Sequence, residues 1–132
     1  MKLIKIYFAS GMKTMDTLEN LAKKIYNKFK DKVVLYVPKS LDTYEHSYVW
    51  SDIERLKNSD ILILHIPTPT VGASSEMALF SYLKPHNISI AYKCMDHGWI
   101  KELTKYQTNS EEVIFKIIED HIKGLEPTFF IK

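Results

Sequence analysis

Glycine is scarce in this sequence, at four of 132 residues, and with only five prolines no stretch reads as low-complexity, collagen-like or disordered. Cysteine is scarcer still. The single thiol, Cys94, has no partner for an internal disulfide, and no Cys/His pair stands at structural-zinc spacing. Disulfide scaffolds and zinc fingers are therefore excluded, and a reducing, cytoplasmic setting is expected. An excess of one charge is lacking too: 18 basic residues face 16 acidic ones, for a net charge of +2. Net charge gives no case for a nucleic acid polymer or an anionic membrane as partner. Even the most hydrophobic run, Ile61–Leu64, extended only by His65 and Ile66, is far short of the ~20 residues a membrane span needs. Met1–Lys5 enters a strand-like segment without the apolar core and cleavage site of an export signal. Neither a membrane nor export is expected.

What is present suits one ordinary core: 45% hydrophobic and 12% aromatic residues over a length typical of a single domain, residues 1–132. Lys2–Phe8 is β-branched and aromatic and runs into Ala9-Ser10-Gly11, a strand followed by a small-residue turn. From Thr14 to Lys30 the period changes, with Leu18, Leu21, Ala22, Ile25 and Phe29 at helical spacing. Val33–Val37 is a second strand stopped by Pro38, and Lys39–Val49 reads as a loop. Ser51–Asn58 is compatible with a short helix that Ser51 or its neighbour caps. Ile61–Ile66, apolar without alternation, is the expected central parallel strand. Pro67-Thr68-Pro69-Thr70 takes the chain out of the sheet, and Gly72–Lys84 is the next helix, ended by Pro85. Ile88–Tyr92 and a weaker Lys105–Thr108 follow as strands. Asn109-Ser110-Glu111-Glu112 resembles a capping box, opening a last helix that Gly124 stops.

Alternating strands and helices with short connections predict an α/β fold of Rossmann-like or flavodoxin-like type. It has three layers: a parallel sheet of about five strands with helices on both faces. In such open sheets ligands sit outside the carboxyl ends of the strands, near the switch in strand order. Tyr7–Lys13 and Pro67–Glu76 are thereby singled out before any chemistry is considered.

Glu76 falls in the first turns of the helix that starts near Gly72, where its carboxylate faces the crevice between strand ends and helix N-termini. Asp52 precedes Asp60 by two helical turns, which puts Asp60 at the root of the third strand and Asp52 near the start of its helix. Two carboxylates converging on one cleft can divide glycosidic chemistry, one attacking the anomeric carbon and the other donating a proton or anchoring the sugar. A carboxylate near a helix start is also a common cap or surface residue. Asp60 is equally suited to accepting from nearby backbone amides.

Three segments together resemble the nucleoside 2-deoxyribosyltransferase family and the related 2′-deoxynucleoside 5′-monophosphate N-hydrolases. They are Ile6-Tyr7-Phe8 with its small-residue turn, Asp52 with Asn58-Ser59-Asp60, and Pro69-Thr70-Val71-Gly72-Ala73-Ser74-Ser75-Glu76-Met77-Ala78. The resemblance covers about the first ninety residues. It implies that Glu76 is the nucleophile of a covalent deoxyribosyl intermediate, that Asp52 contacts the base or assists its protonation, and that Tyr7 orients the nucleophile. It implies a small-molecule nucleoside or nucleotide as partner, no metal or organic cofactor, and assembly into a homo-oligomer whose subunits complete each other's sites. Trp99 and the Phe129-Phe130 tail are candidates for that interface.

Two departures bear on the substrate. The family's usual Gly-x-Gly before the nucleophile is Gly72-Ala73-Ser74 here, so Ser74 either narrows the pocket or supplies a hydroxyl. Six residues before the nucleophile, transferases of free nucleosides tend to carry an acid, whereas this chain has Thr70, like the monophosphate hydrolases. A hydroxyl can donate to a phosphate that an acid would repel. Ser10, Gly11 and Lys13 add donors and one charge that could serve the same phosphate. Three readings follow: a transferase, a hydrolase with water as acceptor, and a nucleotide-binding domain without turnover. His65, inside an Ile/Leu strand, reads as a hydrogen-bonded core histidine. Tyr44, Tyr48 and Trp50 read as a lid over a base or as packing on a sheet edge.

Overall fold

The computed structural model describes residues 3–37 and 47–125. Their strands form one parallel sheet in the order β2-β1-β3-β4-β5, from β1 (Ile4–Ser10), β2 (Val33–Tyr36), β3 (Ile61–His65), β4 (Ile88–Tyr92) and β5 (Tyr106–Thr108). Chain order reverses between β1 and β3, which makes the carboxyl ends of these two strands the switch point. The expected three-layer α/β architecture is the one observed.

Strand residues alternate between two helical layers because successive side chains point to opposite faces. Ile4, Ile6 and Phe8 of β1, with Ile61 and Ile63 of β3, pack against α1 (Met15–Phe29) and α5 (Glu111–Ile122). Tyr7 and Ala9, with Leu62 and Leu64, pack against Leu56 of α2 (Ser47–Lys57), against Met77 and Phe80 of α3 (Val71–Leu83), and against Ile100 of α4 (Gly98–Leu103). The five residues of β3 are all buried, as a strand covered on both faces requires.

The helix ends follow their local chemistry. The Ser110 hydroxyl accepts from the Val113 amide at the start of α5. Gly124 takes φ 72 after its end, and the Leu125 amide donates back to the Asp120 carbonyl at 2.8 Å. Two expectations need correction. Helix α2 starts at Ser47, so Val49 is helical and Ser51 lies inside the helix instead of capping it; the remainder of the expected loop, with Tyr44, falls outside the described residues. The side chain of Tyr48 is likewise outside them, while Trp50 is exposed. Helix α4 was not anticipated. Its six residues bury only Ile100, too few for a period to register, and its start is fixed locally by His97, whose Nδ1 accepts from the Trp99 amide. No helix among the described residues is long and apolar enough to cross a membrane.

Candidate active site

The β3–α3 connection turns the chain at Pro67–Thr70 and starts α3 at Val71, which sets Glu76 in the second turn of the helix. From there its carboxylate accepts a hydrogen bond from the phenol of Tyr7, which reaches across from the middle of β1. Tyr7 is only 2% exposed, so its ring is a core residue with a polar tip at the site. Asp52, on α2, borders the same cleft. A volume of about 440 Å³ lies between α2 and α3, walled by Asp52, Ile53 and Leu56 on one side and by Gly72, Ser75 and Glu76 on the other.

The electrostatics follow from this enclosure. Burial pushes the Glu76 carboxyl up to about 7; the Tyr7 hydrogen bond opposes that shift and the nearby Asp52 charge adds to it. Burial likewise raises the Tyr7 phenol far above its ordinary range, assisted by the charge and hydrogen bond of Glu76 and by Asp52. Tyr7 therefore remains a donor at any ordinary pH. Glu76 changes charge near neutrality, which is where a group that must act as a carboxylate and be regenerated is useful.

A second group gathers beside the β1–α1 turn. The Ser10 hydroxyl lies 2.9 Å from the Gly11 carbonyl and 3.1 Å from the Thr14 hydroxyl. A Cβ on Gly11 would stand 3.4 Å from the Thr70 side chain, so residues far apart in sequence meet at the switch point. Thr70 occupies the N-cap position of α3 without spending its hydroxyl on a cap bond. Lys13 is exposed on the 3₁₀ turn that follows.

The other expected residues lie in several places. Gly72 lines the cleft, with open space where a Cβ would be. Ser74 lines the groove on the opposite flank of α3, with Pro69, Met95 and Trp99, instead of the cleft beside α2. Asp60 sits at the amino end of β3, where its Oδ2 accepts from the Lys5 amide at 2.9 Å and its own amide donates to the Lys5 carbonyl at 2.8 Å. That is the far end of the sheet from Glu76, and the bonds are those of the backbone-amide acceptor the sequence allowed, bracing the starts of β1 and β3. His65 is buried, with Nδ1 2.8 Å from the Tyr92 carbonyl, as read from the sequence. Trp99 is 67% exposed, and Phe129-Phe130 lies outside the described residues. Among the described residues no three His, Cys, Asp or Glu side chains converge as a metal site.

One residue of the site escaped the sequence reading. Arg55 stands three residues beyond Asp52 on α2, with Nη1 3.7 Å from Asp52 Oδ1. The i,i+3 spacing of opposite charges was its available signal.

No family model matches the chain, and no curated protein matches it either. Solved structures do. A conserved protein from Enterococcus faecalis V583 is similar at a TM-score of 0.67 and 21% identity, over 91% of this chain and 99% of that one. A 2-deoxyribosyltransferase from the psychrotolerant bacterium Bacillus psychrosaccharolyticus is similar at a TM-score of 0.64 and 15% identity, over 95% of this chain and 99% of that one. At these identities the likeness is one of fold, along nearly the whole length of both chains.

Proposed function

We propose that the protein cleaves the N-glycosidic bond of 2′-deoxyribonucleosides, or of their 5′-monophosphates, and transfers the deoxyribose to another nucleobase. The observation that carries this reading is the Glu76 carboxylate, enclosed, held by the Tyr7 phenol and facing Asp52 across a cleft. The fold shared with a 2-deoxyribosyltransferase supports it. In the first step a Glu76 oxygen attacks the anomeric carbon. The carbon–nitrogen bond breaks with its electron pair going to the base, which takes up a proton with the assistance of Asp52. In the second step a nitrogen of the incoming base attacks the same carbon while its proton passes to Asp52, and the Glu76 carboxylate leaves. Tyr7 holds the carboxylate in its attacking orientation in both steps. No metal or organic cofactor takes part.

A second reading has water as the acceptor and a 5′-monophosphate as the substrate. The meeting of Thr70 with Gly11, beside the Ser10 and Thr14 hydroxyls, favours it. Donors at that turn suit a phosphate, and Lys13 adds a positive charge nearby.

Incubating the protein with each 2′-deoxynucleoside and each 5′-monophosphate, with and without a different free base, separates these readings by chromatography. A new nucleoside establishes transfer, and free base alone, released from monophosphates, establishes hydrolysis. Ligand binding without any product would refute catalysis and leave a nucleotide-binding domain.

A further inference from the structure

Arg55 is the single arginine among the 18 basic residues of the chain. Its ion pair with Asp52 is half-exposed, and such pairs contribute little to stability. Where an ordinary surface pair occurs on the same helix, between Lys57 and Glu54, a lysine supplies the charge. The surroundings of Arg55 are different. Asp52 walls the Glu76 cleft, and the positive charge of Arg55 reaches Tyr7, where it opposes the charges of Glu76 and Asp52. Among the described residues, the titratable and charged groups around this point are Tyr7 from β1, Tyr36 beside it on β2, Asp52 and Arg55 from α2, and Glu76 from α3. Arg55 is the one cation in that set.

We propose that Arg55 is a positioning residue for the site: its guanidinium holds and orients the Asp52 carboxylate at the cleft wall and offsets part of the negative charge gathered around Glu76. The inference rests on Asp52 and Glu76 being the reactive pair described above. Arginine suits the task because it stays charged at every accessible pH and presents a planar fork that fixes a carboxylate's direction. A lysine supplies the charge as a flexible point and fixes the direction poorly.

The test compares wild type with Arg55→Gln and Arg55→Lys by two measurements. The first is the carbon-13 titration of the Asp52 and Glu76 side-chain carboxyls. The second is the pH dependence of kcat and KM for base release from whichever substrate wild type turns over fastest. Loss of the cation in Arg55→Gln should move both proton-uptake steps of the pair upward, by ~0.5 pH unit or more. The acid limb of kcat should move with them, while KM well above neutrality stays unchanged. Arg55→Lys should restore the titration yet retain a several-fold deficit in kcat, because the direction of Asp52 is no longer fixed. Unmoved carboxyl titrations in Arg55→Gln would overturn the proposal. A rise in KM at every pH with unmoved titrations would overturn it too, making Arg55 a substrate contact. If wild type turns over no nucleoside or nucleotide, the functional reading fails by itself, and the carboxyl titrations still decide the role of Arg55.

Discussion

The sheet carries a partly buried carboxylate toward each of its ends, and the two are held in opposite ways. At the amino ends of β1 and β3, Asp60 accepts from the Lys5 backbone amide while its own amide donates to the Lys5 carbonyl, a closed reciprocal arrangement. Toward the carboxyl ends, Glu76 has a phenol for a donor, a second carboxylate for a neighbour and a cleft beside it. A backbone amide satisfies a carboxylate permanently and ties two strands together. A phenol that keeps its proton, in an enclosure that resists ionisation, leaves the carboxylate poised to react. The same chemical group is thus a brace at one end and a candidate nucleophile at the other, and the difference lies in what donates to it.

The sharpest way to break this comparison is to remove the carboxylate toward the carboxyl ends. Glu76→Ala should lower base release at least about a thousandfold, as loss of a covalent nucleophile does, while the circular dichroism of the fold is unchanged. A folded Glu76→Ala protein with normal turnover would end the nucleophile assignment. Tyr7→Phe sharpens the contrast at the donor. Losing one hydrogen bond to a charged acceptor should reduce kcat by about tenfold to a hundredfold. The direction of the pH effect is fixed as well. The Tyr7 hydrogen bond holds the Glu76 carboxyl down, so its loss should carry the acid limb of the pH profile upward from about 7. An acid limb that stays in place would show that Tyr7 does not tune Glu76.

At the other end of the sheet the expected effect is on stability. Asp60→Ala leaves the Lys5 amide without its acceptor, which should destabilise the protein by about 1–3 kcal/mol in urea unfolding. Activity per folded molecule should be unchanged. A loss of turnover without loss of stability would make Asp60 a substrate contact.

The fold was legible because each strand and long helix announces its own period. Ile61–Ile66 could only be a doubly covered strand, and the apolar spacing of α1 left one helical reading. The ends of the shorter elements were not legible. Helix α4 buries one residue and is fixed by a cap that a histidine supplies. The site was legible to the extent that topology decides it. Glu76 stands in the second turn of a helix that follows the central strand, and Tyr7 lies on the neighbouring strand in the chain's switch of direction. The side on which a residue points within a helix turn was harder to read, and Ser74 illustrates it. Two residues before Glu76, it faces the flank of α3 toward α4, since two helical steps turn a side chain through about 200°. The two readings of Asp60 were left open by the sequence for a related reason: only the strand start at Ile61 puts it at the amino end of the sheet, where it accepts from Lys5, while ligands gather at the other end.

An effect that vanishes at low pH reads the same contrast as a dependence of stability on pH. The Glu76 carboxyl is raised from its unfolded value near 4.5 to about 7, so between these values the folded protein binds more protons than the unfolded chain. The neutral carboxyl's contribution is present in full below the unfolded value and is lost as pH rises through the folded one. Glu76→Gln keeps an acceptor for Tyr7 and removes the titration. Above neutrality it should therefore be more stable than wild type, by about 1–3 kcal/mol, with the difference closing as pH falls toward the unfolded value. Thermal unfolding of the two proteins across that range measures it. A constant offset at all pH values would mean that packing of the amide, and not suppression of the buried charge, sets the difference. Convergence at low pH would show that folding holds Glu76 at a cost in stability, the opposite of what Asp60 does at the other end of the sheet.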